Sequence, residues 1–278
     1  MHNIYYFTDI HGVRALYDAI IEYCFKEDDS PTIIFGGDAI DRGKDGYGIM
    51  KDMLDNPNII YLKGNHEDIF VKAARQLKEK FDFTNTTRER AYTILKSTMI
   101  FDYKYNDIQL SINNGGMETL ADWIMDGMPM DVVEKIDNLP YTLSYEHYDF
   151  CHAGGVYPTF MRVNECEYNE ITPDKDDTDF LLWDRYAFSY GWAPGRTCIH
   201  GHTPSTVLSR YLGKGQIIAK PYKYCEHFNP DFTGDKIDMD TGVIFTNKIF
   251  VLNVLTGKAQ GFKLKKNGQV KQIETIQL

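Results

Sequence analysis

The sequence predicts an α/β fold, a four-layer αββα sandwich in which two mixed β-sheets lie between layers of helices. Near the start, short apolar runs at 4–7, 32–35 and 58–62 each end in polar residues and lead into residues with helical periodicity. Three such strand-loop-helix units in succession imply right-handed crossovers and a parallel sheet. Short strands dominate the second half of the chain with no linker before them, so we expect one layered domain over 1–278.

The remaining elements follow from periodicity and turn composition. Helices are predicted over 13–24 and 47–54, because apolar residues recur there at helical spacing. The region at about 68–140 is helical in character and is expected to form an insertion or cap. The acidic segment 172–179 is predicted to be a surface loop. Further strands are expected at 141–144, 148–151, 197–200, 207–211, 242–246, 249–255, 261–264 and 270–276.

Composition limits the classes of protein to which the chain can belong. The 278 residues are 43% hydrophobic, which is enough for a sizeable core. Acidic residues outnumber basic ones by 40 to 30, and the net charge of -10 opposes attraction to a phosphate backbone, so no nucleic-acid partner is expected. The sequence has no run of about 18 apolar residues and no signal-peptide pattern, which predicts a cytoplasmic protein with no membrane partner. Five scattered cysteines without a C-x-x-C pair indicate neither a disulfide framework nor a zinc knuckle.

Polar side chains follow five of the predicted strands and form a candidate metal centre. Asp9 and His11 stand two apart after the first strand, so strand alternation can direct both to one side. Taken singly, Asp and Asn are ordinary turn residues, and a lone histidine beside a strand is usually structural. Together, six carboxylate, amide and imidazole donors suit manganese, iron or zinc and exceed what one tetrahedral ion needs. They predict two ions that share a ligand, and the six candidates are Asp9, His11, Asp38, Asn65, His152 and His202.

Five ordered segments carry a resemblance to a known family. They are TDIHG at 8–12, GDAIDRG at 37–43, GNHE at 64–67, HAG at 152–154 and GHTP at 201–204. In order and spacing they resemble blocks of the calcineurin-like metallophosphoesterases, and more narrowly of the phosphoprotein phosphatase branch. This branch includes bacterial and phage serine/threonine phosphatases and symmetrical diadenosine tetraphosphatases, whose N-G-G-x-x-T and D-T-G elements resemble segments 114–119 and 240–242. One departure is Thr8, which stands where the family usually has glycine.

The resemblance implies a two-metal site with one shared ligand. Asp38 would bridge two divalent ions, with manganese as the expected metal and iron, zinc, nickel and magnesium as the alternatives. One ion would be held by Asp9, His11 and Asp38, and the other by Asp38, Asn65, His152 and His202.

The same resemblance implies the residues that act on the substrate. His66 is similar to the general acid of the family, with Asp41 hydrogen-bonded behind it, and Arg42 is similar to a phosphate clamp. Arg185 follows a tryptophan, as a second clamp does in the phage-type enzymes. Glu67 either pairs with Arg42 or begins the helix in a favourable dipole position, and we favour the structural role. A structural role is also expected for His200.

The expected reaction is hydrolysis of a phosphomonoester by direct attack of a hydroxide held between the two ions, which is a strong nucleophile at neutral pH. The implied substrates are phosphorylated proteins or peptides, at phosphoserine or phosphothreonine. The alternative is a nucleotide substrate of the diadenosine tetraphosphate type, because both present a tetrahedral phosphorus to the same ions. A non-catalytic scaffold with the same fold is a third possibility, which the complete set of ligands disfavours.

Overall fold

Two β-sheets form the centre of the protein in a computed structural model, which describes residues 2–99, 105–185, 190–211, 219–224 and 231–278. The strands are β1 (Ile4–Phe7), β2 (Thr32–Phe35), β3 (Ile59–Tyr61), β4 (Thr142–Tyr145), β5 (Tyr148–Cys151), β6 (Thr197–His200), β7 (Tyr222–Tyr224), β8 (Asp235–Asp238), β9 (Lys248–Asn253), β10 (Lys258–Leu264) and β11 (Val270–Gln277). The order in the first sheet is β11-β10-β9-β1-β2-β3, and in the second it is β4-β5-β6-β8-β7.

Both sheets combine parallel and antiparallel strands. β1, β2 and β3 run parallel, as the three strand-loop-helix units predict, and β9, β10 and β11 extend this sheet with antiparallel strands. In the second sheet β5, β6 and β8 run parallel, while β4 and β7 pair antiparallel at the edges. Each sheet therefore has a parallel part whose strands all end on one side.

Alternation along the strands divides the core into layers. Tyr5 and Phe7 of β1 pack among helices on the outer face of the first sheet, whereas Tyr6 points toward the second sheet. In that inner layer Tyr6 stacks on Phe150 of β5, with ring centroids 5.5 Å apart. The outer face of the second sheet packs on helices through a cluster that includes Cys151. Two mixed sheets between two helical layers confirm the predicted αββα fold class.

The helices cover the outer faces of the sheets and fill the connection between β3 and β4, where α3 to α7 occupy the region predicted to be an insertion. None of the helices in the described ranges is both long enough and apolar enough to cross a membrane. The helices are α1 (Arg14–Glu27), α2 (Gly46–Asp55), α3 (Asn65–Lys80), α4 (Arg88–Ser97), α5 (Asn106–Asn113), α6 (Met117–Met125), α7 (Met130–Asp137), α8 (Tyr157–Tyr168), α9 (Lys175–Trp183), α10 (Ser205–Tyr211) and α11 (Val243–Thr246).

Three of the predicted elements are wrong. The strand predicted at 207–211 belongs to helix α10, and the strand predicted at 242–246 is the one-turn helix α11. Both runs are only five residues long, and periodicity alone does not separate a strand from a helical turn in so short a run. The loop predicted at 172–179 contains the first part of α9, where the side chain of Asp174 accepts a hydrogen bond from the N–H of Asp176.

Two strands, β7 and β8, have no counterpart among the predicted elements. β8 carries Lys236 and Asp238, which are buried although they are charged residues by type. Strand signals depend on apolar residues at alternating or consecutive positions, and charged residues inside the core interrupt that pattern. The sequence pattern therefore does not predict β8, which lies between β6 and the edge strand β7 in the second sheet.

Candidate metal centre and active site

The predicted ligands come together at one end of the sandwich, where parallel strands of both sheets finish. Asp9, Asp38 and Asn65 follow β1, β2 and β3 in the first sheet, and His152 and His202 follow β5 and β6 in the second. All five side chains are buried. Parallel strands place the loops after their carboxyl ends on the same edge, so each sheet brings polar residues to a common centre.

Two groups of potential metal ligands share Asp38. In the first group, Nε2 of His11 and Nε2 of His66 each lie 3.8 Å from Asp38 Oδ2. In the second, Nε2 of His152 lies 3.4 Å from Asp38 Oδ1, and His202 completes the group. The ligand atoms of each group lie within 4.8 Å of one another. A carboxylate with one oxygen toward each group has the arrangement that a bridging ligand requires.

Asp9 and Asn65 lie next to these groups. Asp9 Oδ1 is 4.0 Å from His11 Nε2, so Asp9 lies beside the first group. Asn65 Oδ1 is 3.0 Å from His152 Nε2 and 2.9 Å from His202 Nδ1, so Asn65 lies in the second. The structure therefore brings all six predicted ligands to one place.

The donor set fits divalent metal ions. The Nδ1–H of His11 donates to Ile40 O at 2.9 Å, and the Nδ1–H of His152 donates to Gly36 O at 2.8 Å, which leaves Nε2 of each ring facing the shared carboxylate. Nε2 of His202 is buried and has no hydrogen-bond partner in the described part of the chain. Carboxylate, amide and imidazole ligands without thiolate are shared by manganese, iron and zinc sites. We therefore expect the centre to hold such ions.

Left-handed backbone conformations direct many of these side chains. Eleven residues other than glycine have a positive φ in the described ranges. Such conformations are unfavourable by about 1–3 kcal/mol each and persist only where the surrounding structure holds them, which happens mainly at functional sites. Six of the eleven are predicted site residues: Asp9, His11, Asp38, Asp41, Arg42 and His202.

Glu67 joins the loops that follow β2 and β3. Its side chain is fully buried, and burial followed by the charge of Asp38 raises the pKa of Glu67. Four donors lie 2.7–2.9 Å from its carboxylate oxygens: the N–H groups of Asp38, Ala39 and Gly64 and the hydroxyl of Tyr61. The carboxylate of Glu67 therefore accepts hydrogen bonds from these groups rather than from Arg42, in agreement with the structural role that we favoured.

His66 and Asp41 form a hydrogen-bonded pair beside the first ligand group. The Nδ1–H of His66 donates to Asp41 Oδ2 at 2.7 Å, and the hydroxyl of Thr119 donates to Asp41 Oδ1 at 2.7 Å. Burial by itself lowers the pKa of His66, but Asp38 and then Asp41 outweigh burial and raise that pKa above its ordinary value. Asp38 and Asp41 therefore both favour the protonated form of His66.

Two arginines lie at the site with different partners. Nη1 of Arg42 donates to Nε2 of His11 and Nη2 donates to Nε2 of His66, both at 2.8 Å. Nη1 of Arg185 donates to the carbonyl oxygen of His202 and to the hydroxyl of the next residue, both at 3.2 Å. The guanidinium of Arg42 therefore lies against the first ligand group, whereas Arg185 lies against the loop that carries His202.

Burial and close charges shift the pKa values of the candidate ligands. Burial raises the pKa of Asp38, but His152 and His66 outweigh it and hold that pKa well below the ordinary value. Burial lowers the pKa of His152, but nearby carboxylates, Asp38 first, outweigh it and raise the pKa to about 10. Burial, followed by nearby positive groups, lowers the pKa of His11 and of His202. A bound cation would displace the proton of His152, because metal ligation needs a free imidazole nitrogen.

Several neighbours of the site were not among the predicted residues. Thr119 belongs to α6, and only its place in the N-G-G-x-x-T segment could have indicated a role. Trp183 of α9 packs edge-on against His202, with ring centroids 6.1 Å apart, and nothing in the sequence indicated this contact. His200, expected to be structural, has Nε2 at 2.7 Å from the hydroxyl of Tyr224. Burial is the main reason that the pKa of His200 falls to about 3.

Solved structures of low sequence identity resemble the chain along most of its length. No curated protein matches the chain. A structure described as a putative diadenosine tetraphosphatase is 18% identical, covers 98% of this chain and 93% of its own, and has a TM-score of 0.48. A cold-active protein-tyrosine phosphatase of a Shewanella species is 13% identical, with coverage of 99% and 81% and a TM-score of 0.47. A protein serine/threonine phosphatase from Saccharomyces cerevisiae is 13% identical, with coverage of 100% and 80% and a TM-score of 0.44.

A family model gives the assignment directly. The model for calcineurin-like phosphoesterases matches residues 2–233, which is most of the chain and includes every predicted site residue. The chain therefore belongs to the calcineurin-like phosphoesterases, a family of metal-dependent phosphoester hydrolases.

Proposed function

We infer that the chain hydrolyses phosphomonoesters with two divalent ions, manganese in the first place, and that its substrates are phosphoserine and phosphothreonine in proteins. The observation that carries this proposal is the pair of buried ligand groups that share Asp38, the first of which contains His66, with Arg42 hydrogen-bonded to it. Bound ions would supply Lewis-acid activation of water and stabilisation of the charge that develops on phosphorus. The protein residues supply the ligands, the proton and the clamps.

The first task of the protein is to make a local positive site in an acidic molecule. Asp9 and Asp38 are the two carboxylates of the proposed ligand set, and Asn65 adds an amide oxygen without adding negative charge. Two divalent ions exceed the charge of these carboxylates, and Arg42 adds a further positive charge. A phosphate group is therefore attracted locally although the net charge of the chain is -10.

His66 has the contacts of a proton donor. Asp41 holds its Nδ1, so the opposite nitrogen, Nε2, faces the centre where Arg42 also reaches. In the structure Nε2 of His66 accepts a hydrogen bond from Arg42 and carries no proton. When a phosphate takes over Arg42, the raised pKa of His66 favours the protonated ring, whose Nε2–H would be given to the leaving oxygen. Such general-acid help typically contributes about 10² to 10⁴-fold to the rate. The benefit is greatest for alkoxide leaving groups such as serine and threonine, because these are poor leaving groups without a proton.

Arg42 is suited to hold the phosphate oxygens. Its two Nη atoms already point to the same side, toward His11 and His66, and a planar guanidinium can donate two parallel hydrogen bonds to one phosphate. Arg185 is proposed as a second clamp. In that role its Nη1 would exchange the carbonyl oxygen of His202 for a phosphate oxygen.

The substrate class is tested by parallel assays with added Mn²⁺ on a phosphothreonine peptide, on diadenosine tetraphosphate and on an aryl phosphate. We expect the highest kcat/KM on the phosphopeptide and loss of activity with EDTA. A higher kcat/KM on the dinucleotide would replace the proposed substrate by the nucleotide. If none of the three substrates is hydrolysed, the hypothesis of a non-catalytic scaffold is favoured.

The proton-donor role is tested with His66→Asn. We expect the variant to slow alkyl phosphates much more than aryl phosphates, which need little protonation of the leaving group. His147→Asn, at an exposed histidine, is the matched control and should change neither rate. Equal slowing of both substrate types by His66→Asn would contradict the proposed role.

A further inference from the structure

We propose that Thr8 is a positioning residue for the metal ligand Asp9, and that its hydroxyl fixes one carboxylate oxygen so that the other faces the first ion. This inference rests on the proposed two-metal function. Thr8 stands where the resembling family usually has glycine, so the hydroxyl is a feature of this chain.

The two carboxylate oxygens of Asp9 have different contacts. The hydroxyl of Thr8 donates to Asp9 Oδ2 at 2.7 Å, while the carbonyl oxygen of Gly37 lies farther from the hydroxyl, at 3.3 Å. A threonine hydroxyl has one proton, and a short bond to a carboxylate is the stronger of these two interactions. The N–H of His202 donates to the same Oδ2 at 3.1 Å. Oδ1 remains directed toward His11, whose Nε2 is 4.0 Å away.

The surrounding backbone leaves room for this threonine. Its side chain is 1% exposed and lies between Gly36 and Gly201, the residues after β2 and after β6. A Cβ at Gly36 would approach Thr8 Oγ1 to 2.8 Å, and a Cβ at Gly201 would approach the two branches of Thr8 to 2.6 and 2.7 Å. All three distances are too short for a real Cβ atom. A Cβ would come still closer to other groups, within 2.0 Å of the hydroxyl of Tyr6 at Gly36 and within 2.1 Å of Asp9 Oδ2 at Gly201, so glycine at both positions allows Thr8 to pack here together with Tyr6 and Asp9.

This geometry has a specific consequence for metal binding. A carboxylate fixed by two donors on one oxygen loses little rotational freedom when its other oxygen takes an ion. Partners of this kind typically contribute about 10 to 100-fold to metal affinity. The hydrogen bonds described for the hydroxyl of Thr8 reach Asp9 and none of the other five proposed ligands, so its effect should fall on one ion and not on both.

The test measures Mn²⁺ binding by isothermal titration calorimetry and metal content for the wild type, Thr8→Val and Thr8→Ser. Thr8→Val keeps the shape of the side chain and removes the hydroxyl, and we expect about 10 to 100-fold weaker binding of one ion with the other unchanged. Thr8→Ser keeps the hydroxyl and should bind both ions within about threefold of the wild type. Thr98→Val is the control, because it removes a buried hydroxyl that donates to Leu95 O in the α4 region.

Folding of each variant is checked by thermal unfolding in EDTA, and Thr8→Ala replaces Thr8→Val if the valine variant does not fold. Two wild-type affinities in the variant that lacks the hydroxyl, or equal weakening of both ions, would overturn the role of Thr8. A wild type that binds two manganese ions and hydrolyses no phosphoester would overturn the proposed function but not the inference on Thr8. A wild type that binds no manganese would overturn both.

Discussion

Replacing Glu67 by glutamine should destabilise the protein, because the buried carboxylate accepts hydrogen bonds on both oxygens. Oε2 accepts two backbone N–H groups, from Asp38 and Gly64, and Oε1 accepts the N–H of Ala39 and the hydroxyl of Tyr61. A glutamine must place an NH₂ group on one of these sides. The Oε1 side is the less unfavourable, because the hydroxyl of Tyr61 can turn and accept a hydrogen bond.

The magnitude follows from what remains on that side. The N–H of Ala39 would face another N–H and stay unsatisfied in the core, which destabilises by about 1–3 kcal/mol. The three remaining bonds become neutral and weaker by about 0.5 kcal/mol each. The variant also avoids burying a negative charge, whose unfavourable burial is visible in the raised pKa of Glu67. We expect a net loss of about 2–3 kcal/mol in the free energy of unfolding.

The loss is measured as the change in urea unfolding free energy in EDTA, where bound metal does not contribute to stability. Glu67→Ala should lose more than Glu67→Gln, because it leaves all four donors without an acceptor. Glu79→Gln, at an exposed glutamate of the same helix, should change stability by less than about 0.5 kcal/mol. A loss below about 0.5 kcal/mol for Glu67→Gln would refute the reasoning, since it would show that the carboxylate contributes no net stability.

Three further predictions concern other parts of the molecule. Thr119→Val removes the hydroxyl that donates to Asp41, the partner of the proposed general acid His66, and should lower kcat on alkyl phosphates about tenfold. Thr119→Ser keeps the hydroxyl and should stay close to the wild type, and an unchanged kcat in Thr119→Val would contradict this role. Arg196→Leu leaves the buried Asp149 without its cation and should lower the urea unfolding free energy by about 3 kcal/mol, and a loss under about 1 kcal/mol would contradict that pairing. The pKa of Asp28 is lowered to about 2, first by the N–H of Asn3, so its contribution to stability is present above the unfolded pKa near 3.8 and is lost as pH falls toward 2. Asp28→Asn should therefore flatten the dependence of Tm on pH between about 4 and 2, and an unchanged slope would argue against this hydrogen bond.

Much of the candidate site could be predicted because its signals are local. Asp9, Asp38 and Asn65 each follow an apolar run, and parallel strands necessarily bring such positions to one edge. The αββα layering follows in the same way from alternation, as Tyr5 and Tyr6 show by facing opposite sides of one sheet. Predictions failed for short segments, because the length of a run is the signal that separates a strand from a helix. Helix α10 is predicted to be a strand for that reason.

The proposed ligands, the strand ends that carry them and the family to which their order belongs could all be predicted from the order of residues along the chain. The left-handed backbone at Asp9 and Asp38, the four donors around Glu67, and the contact of Thr119 with Asp41 appear only in the folded protein. These contacts could not be predicted because they act over long distances along the chain. Periodicity and turn composition act over a few neighbouring residues, whereas these contacts join residues far apart in the chain, and their geometry exists only when both sheets and the helical segment between them are packed.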